Sequence, residues 1–162
     1  MTDLQPIDTV LPTGSSAVQL PTRFGPLPFL PAQVWTAKPP LAGFETLQRY
    51  GLISLQAERP FVWLQSLDDA TVSFLLVQAE HFGLRYDHLP ADATPLVMVL
   101  LPGPSGQTLR AHRQAPLLFD AQSATLTQYM VEADEVQGEG LFVAQAGVSL
   151  PASLAERVVL LR

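Results

Sequence analysis

The sequence predicts a mainly β protein, a small antiparallel and partly closed β-barrel with little helix. Short apolar or alternating stretches recur about 8–12 residues apart, a spacing typical of sandwiches and barrels. Turn-forming residues lie between these stretches, and helical periodicity is scarce. We favour a barrel because closure removes exposed strand edges.

The beginning of the chain is rich in proline. Eight of the 15 prolines lie within residues 1–40, and proline both interrupts helices and removes the N–H donors that strands need. We therefore predict a flexible Pro/Ser-rich arm over residues 1–22 that is dispensable for folding. The length of 162 residues then indicates a single barrel domain over residues 23–162.

The hairpin around which the chain is organised spans residues 60–77. Its first strand alternates large side chains between two faces, because successive side chains of a strand point in opposite directions. Asp68 and Asp69 interrupt the apolar run and favour a turn. The second strand is apolar on both faces, which predicts a place at the centre of the core. Trp63 and Phe74 are the predicted core anchors of the two strands.

Alternation, apolar runs and turn residues predict the remaining elements. Residues 96–101 form an unbroken apolar run that indicates a buried strand, and the prolines and glycines of residues 102–106 indicate a turn after it. Pro151 predicts a helical turn that ends at Glu156, and residues 78–82 predict another. The other predicted strands cover residues 47–55, 84–89, 108–114, 115–119, 124–131, 141–146 and 157–161.

The composition excludes several classes of protein. Hydrophobic residues make up 48% of the chain and charged residues 15%, which is typical of a globular domain and not of a disordered one. The absence of cysteine excludes disulfides, thiolate metal sites and cysteine nucleophiles. We see no secretory signal and no apolar run of the roughly 20 residues that a spanning helix needs. We therefore expect a cytoplasmic protein, a monomer, with no membrane association.

The charge balance bears on the partner. The formal net charge is −6, whereas nucleic-acid binding requires a basic surface, so we expect no direct nucleic-acid contact. A basic protein partner fits better, because opposite charges steer association. Four acidic residues without a neighbouring basic residue form either a solvated loop or part of an acidic docking surface: Glu132, Asp134, Glu135 and Glu139.

Individual polar residues leave alternatives open. Asp68 and Asp69 either build a turn or contact a partner, and their adjacent positions make a catalytic pair unfavourable. Gln65, on a strand of large apolar side chains, either bonds a backbone group in the core or reaches a partner. The three histidines lack metal-ligand spacing, so we predict no metal site, no cofactor and no catalytic residue.

The motifs of the chain resemble those of the flagellar assembly factor FliW. The resemblance starts at Gly43-Phe44-Glu45 and continues through Pro60-Phe61, Trp63-Leu64-Gln65-Ser66-Leu67-Asp68-Asp69 and Phe74-Leu75-Leu76-Val77. The stretch Ala115-Pro116-Leu117-Leu118-Phe119 and the glutamine Gln128 match the end of the pattern. Ala42 and Ala70 stand where the family usually has proline, and His112-Arg113 replaces its Asn-Leu, which indicates a divergent member.

The resemblance implies a mostly β, barrel-like protein without catalytic activity. It also implies two partners, flagellin and the translational regulator CsrA, so that binding would couple flagellin synthesis to flagellum assembly. The alternative is a small β-barrel ligand-binding protein or an enzyme, which a polar pocket lined by His88 or His112 would favour. We assign partner binding to Glu45, Gln65, Asp68, Asp69, Glu132, Asp134 and Glu135.

Overall fold

The computed structural model describes residues 16–90, 93–100 and 108–161, and it confirms the mainly β prediction. A four-residue helix, α1 (Ala152–Ala155), accompanies 3₁₀ turns at Pro31–Gln33, Gln56–Glu58, Ala79–Phe82 and Ala133–Glu135. The strands are β1 (Val18–Leu20), β2 (Leu27–Phe29), β3 (Trp35–Ala37), β4 (Arg49–Leu55), β5 (Val62–Ser66), β6 (Ser73–Gln78), β7 (Arg85–Tyr86), β8 (Leu96–Leu100), β9 (Arg110–Ala111), β10 (Leu117–Asp120), β11 (Thr125–Gln128), β12 (Val136–Gln137) and β13 (Val159–Leu161).

Seven strands close the barrel in the order β10-β11-β3-β4-β5-β6-β8, and β8 returns to β10 through the pair Leu96 and Leu117. The pairings are antiparallel except that β11 runs parallel to β3. The strand β9 continues the sheet beyond β8, and β13 joins the second half of β4 in parallel. Two further pairs, β1 with β2 and β12 with β7, lie outside this sheet.

The barrel interior holds the main core. Leu76 of β6 points into it, and its neighbour Val77 packs into a second cluster outside the barrel, so β6 is buried on both faces at this end, as the sequence predicts. Trp63 and Phe74, the predicted core anchors, are less buried than predicted. Both are only partly buried: Phe74 packs against the main core, and Trp63 packs against a cluster around Phe29 and Ile53. The largest fully buried side chains of this main core are Trp35, Leu41, Tyr50, Leu52, Leu64, Leu76, Leu96, Leu117 and Leu126.

The hairpin of β1 and β2 covers one outer face of the barrel. Leu20 and Leu27 pack with Phe29 against Ile53, so residues 18–20 are a paired strand and not a loose chain. The pattern of the sequence missed this because each strand is three residues long and β2 contains a proline. Residues 1–15 lie outside the described residues, and for them the predicted arm stays a prediction.

Other predicted elements differ in outcome. Residues 141–146 were predicted as a strand but form none, because individual contacts and not a hydrogen-bonded ladder hold this stretch in place. Phe142 stacks on Phe61, with 5.2 Å between ring centroids. The Val143 N–H donates to the carbonyl of His81. The turn predicted at residues 102–106 lies outside the described residues. The predicted helical turns appear as α1 and as the 3₁₀ turn Ala79–Phe82.

Candidate functional site

The turn between β5 and β6 presents the two adjacent carboxylates. The Ser66 hydroxyl accepts hydrogen bonds from the N–H groups of Asp68 and Asp69, at 3.1 and 3.0 Å. Asp69 Oδ1 in turn accepts from the N–H and the hydroxyl of Thr71, and these two bonds hold the pKa of Asp69 below its usual value. Both carboxylates therefore build the turn, as the sequence allowed, and both are exposed.

Asp68 also joins this turn to the loop between β3 and β4. Its Oδ2 accepts from the N–H groups of Gln48 and Arg49 at 2.8 and 2.9 Å, and its Oδ1 accepts from Arg49 Nε at 3.0 Å. Burial alone would raise the pKa of Asp68, but the two N–H groups and the guanidinium outweigh it and lower the pKa. Much of the charge of Asp68 is thus compensated by Arg49, whereas Asp69 has no basic side chain within ion-pair distance in the described part of the chain.

The loop that carries Glu45 is fastened at the same end of the barrel. Gly43 has a φ of +86°, a left-handed conformation that glycine adopts without strain, and its N–H donates to Glu45 Oε2 at 2.8 Å. Phe44 meets Phe74 edge to face, with 5.0 Å between centroids. The N–H of Ala42 donates to Gln128 Oε1 at 3.0 Å, which gives that glutamine a structural role. Glu45, Asp68 and Asp69 consequently belong to two loops held together at one barrel end.

Gln65 does not belong to this surface, which corrects its assignment as a partner-binding residue. Its side chain is fully buried, and its Nε2 donates to the carbonyl oxygens of Ser66 and Ala70 at 2.9 and 3.2 Å. Its Oε1 accepts from the N–H of Arg23 at 3.0 Å. Of the two alternatives that the sequence left open, the structure shows the first, a side chain that bonds backbone groups in the core.

The acidic run lies on a separate element. Glu135 caps the 3₁₀ turn Ala133–Glu135 by accepting the N–H of Glu132 at 2.7 Å, and its other oxygen lies 3.4 Å from His88 Nε2. Pairing of β12 with β7 holds the run against the segment that follows β6, whereas the turn of Asp69 precedes β6. Glu132 and Asp134 remain exposed. The structure therefore divides the predicted acidic residues into two surfaces.

The second of these surfaces includes a residue that sequence reasoning missed. Asp87 is exposed. Two hydrogen bonds hold it beside the acidic run: its N–H donates to the carbonyl of Glu135, and its Oδ2 accepts from Gln137 Nε2 at 3.1 Å. Its position follows from the pairing of β7 with β12, and no local pattern in the sequence indicates that pairing.

No group of three His, Asp or Glu side chains within residues 16–90, 93–100 and 108–161 is placed to hold a metal ion. No helix in that part of the chain is long and apolar enough to cross a membrane.

Comparison with known proteins gives consistent results. The family model described as "FliW protein" matches residues 19–139. The flagellar assembly factor FliW of Syntrophus aciditrophicus is 32% identical over 124 residues, which cover 68% of this chain and 78% of that protein. The flagellar assembly factor FliW of Leptospira interrogans serovar copenhageni is 24% identical over 127 residues, which cover 70% and 85% of the two chains.

A solved structure shares the fold. The crystal structure of the flagellar assembly factor FliW superimposes with a TM-score of 0.59 at 15% sequence identity, and the match covers 79% of this chain and 97% of that one. At this identity the likeness shows the fold alone.

Proposed function

The chain belongs to the FliW family of flagellar assembly factors, and from this premise we propose that it binds flagellin and antagonises a CsrA-like translational regulator. The observation that carries the proposal is the family match over residues 19–139. Within that match, the two loops that carry Glu45 and Asp69 are fastened together at one end of the barrel and keep both carboxylates exposed. We further propose that the protein acts as a monomer in the cytoplasm.

The acidic surfaces support a basic partner. Because Asp68 is paired with Arg49, the negative potential at the barrel end comes mainly from Glu45 and Asp69. Exposed Glu132 and Asp134 supply the second acidic surface. An RNA-binding regulator carries positive charge, and complementary potentials raise the association rate more than the affinity.

An apolar contact area supports a second kind of partner. Met130 is 66% exposed and Tyr129 is 38% exposed, and both lie between the end of β11 and the acidic run. Solvent-exposed aromatic and methionine side chains are enriched where proteins bind one another. We therefore expect flagellin binding to depend more on apolar contacts, and less on salt, than binding of the regulator.

Titration against purified flagellin and purified CsrA tests the proposal, with the association rate measured at rising salt. We expect the rate for CsrA to fall as salt rises, since the Debye length shrinks from about 10 Å at 0.1 M to about 3 Å at 1 M. A variant with Glu132→Gln and Asp134→Asn should associate more slowly with CsrA. The matched control is Glu156→Gln, an exposed carboxylate on the C-terminal side of α1.

Several outcomes would count against the proposal. Absence of binding to both proteins would contradict the function itself. If the association rate with CsrA is independent of salt and unchanged in the double variant, the acidic surfaces do not steer the binding of CsrA. Met130→Ser should weaken flagellin binding, and equal affinities of this variant and the wild-type protein would remove the apolar area.

The enzyme alternative receives no support from the two grooves seen in the described part of the chain. Neither groove is lined by His88 or His112, the residues that would have favoured it. One of the two grooves nevertheless has features of a ligand site.

A further inference from the structure

One groove lies at the mouth of the barrel, at the end opposite Asp68. Side chains of a strand alternate, so the interior row of β4 that contains Tyr50 and Leu52 ends at Ser54. By the same alternation, Val62 begins the interior row of β5, and Gln78 ends that of β6. The apolar interior is thus closed at this end by two buried polar side chains, Ser54 at 6% and Gln78 at 5% exposure.

The C-terminal segment forms the wall of this groove. The strand β13 runs alongside β4, and Leu150 and Val158 line a space of about 380 Å³ together with Phe61 and Val62. Small-molecule sites commonly have volumes of about 300–1,000 Å³ and occur in the mouths of β-barrels. The wall residues lie beyond residues 19–139, the part that matches the family model, so the groove is built partly from a segment outside that match.

The polar side chains that line the groove are mainly hydrogen-bond donors. Gln78 Nε2 donates to the carbonyl of Ser149 at 3.0 Å, whereas no described residue accepts from the hydroxyl of Ser54. No described residue accepts from the guanidinium of Arg59 either, and no Asp or Glu of the described part of the chain lines the groove. Because Arg59 is the only charged side chain among the described residues that line it, the groove complements an anion.

We propose that this groove binds a small monocarboxylate with an apolar body. The carboxylate accepts hydrogen bonds from Arg59 and Ser54, and the apolar body packs against Phe61, Val62 and Leu150. The apolar lining disfavours inorganic anions such as phosphate, which would lose hydration without gaining enough donors. This site is separate from the acidic surfaces and goes beyond the proposed function.

Sodium octanoate is a suitable probe, because it combines one carboxylate with a short apolar chain. We would titrate the full chain with octanoate and follow the backbone amide resonances by NMR, expecting millimolar affinity from the size of the probe. Shifts should concentrate at Ser54, Phe61 and Gln78, and the resonance of Asp69 at the far end of the barrel should not move. Octan-1-ol tests the contribution of the charge.

Two variants make the test specific. Arg59→Gln should weaken octanoate binding about tenfold, the effect of one charge-assisted hydrogen bond, and should leave octanol binding unchanged. Ala155→Phe, on the exposed part of α1 that lines the groove, should fill the space and abolish binding of both compounds. The matched control is Arg110→Gln, an exposed arginine on β9 that should bind octanoate as the wild-type protein does.

Three results would overturn the proposal. The first is no octanoate-dependent shift at the groove. The second is equal affinity for octanoate in the wild-type protein and Arg59→Gln, which would reduce the groove to a non-selective apolar cavity. The third is unchanged binding in Ala155→Phe, which would place the compound elsewhere. Binding of flagellin and CsrA by Arg59→Gln should stay normal, so this test and that of the proposed function can fail independently.

Discussion

Replacement of Gln65 by methionine should destabilise the protein strongly while leaving partner binding intact. Methionine is unbranched and of similar length, so Gln65→Met removes the amide with little change in packing. The change leaves the N–H of Arg23 without its acceptor and the carbonyls of Ser66 and Ala70 without their donor. A buried polar group without a partner costs about 1–3 kcal/mol. Because Arg23 lies near solvent, we expect a total loss of about 2–4 kcal/mol.

Thermal unfolding followed by circular dichroism measures this loss. For a chain of this length, 1 kcal/mol corresponds to about 2–4 °C in Tm, so Gln65→Met should melt roughly 5–15 °C below the wild-type protein. The control is Gln19→Met on β1, where the glutamine side chain is exposed and makes no hydrogen bond to another described residue. A Tm within about 2 °C of wild type would refute the reasoning. A normal Tm together with weakened partner binding would indicate that Gln65 contacts a partner after all.

Further predictions concern the turn, the core and the N-terminal hairpin. Asp68→Asn should lower the free energy of unfolding at neutral pH. The pKa of Asp68 is lowered in the folded state, so its carboxylate stabilises the folded protein at pH values above the ordinary carboxyl pKa of about 3.9. This stabilisation is lost as the pH falls through the lower folded pKa. The free energies of unfolding of the two proteins, measured by urea denaturation, should therefore converge in acid. In the same assay, Trp35→Ala should lower the free energy of unfolding by about 3–5 kcal/mol, because Trp35 is fully buried. Trp63→Ala should lower it clearly less, because Trp63 is only partly buried. Equal losses in the two variants would contradict the burial argument. Deletion of residues 1–22 should reduce Tm by several degrees, because it removes β1 and uncovers Phe29; an unchanged Tm would restore the original prediction of a dispensable arm.

Local alternation predicted the strands that are long and apolar. Alternation predicts β5, and apolar runs predict β6 and β8, because both patterns are visible within a few residues. Such reasoning failed at residues 141–146, where the apolar run Leu141, Phe142 and Val143 forms no ladder. A strand needs a partner at a particular register, and the partner is remote in sequence. The parallel pairs of β11 with β3 and of β13 with β4 were invisible for that reason.

By itself, the sequence determined the mainly β class, the turn at Asp68 and Asp69, and the motifs that identify the family, since all of these depend on residue types at short spacing. Only the tertiary structure decided what the polar residues do. In the folded chain, Asp68 accepts a hydrogen bond from the side chain of Arg49, 19 positions away, and the Gln65 amide oxygen accepts one from the N–H of Arg23, 42 positions away. Such contacts follow from barrel closure and register, which bring distant segments side by side. No periodicity within a single segment encodes them.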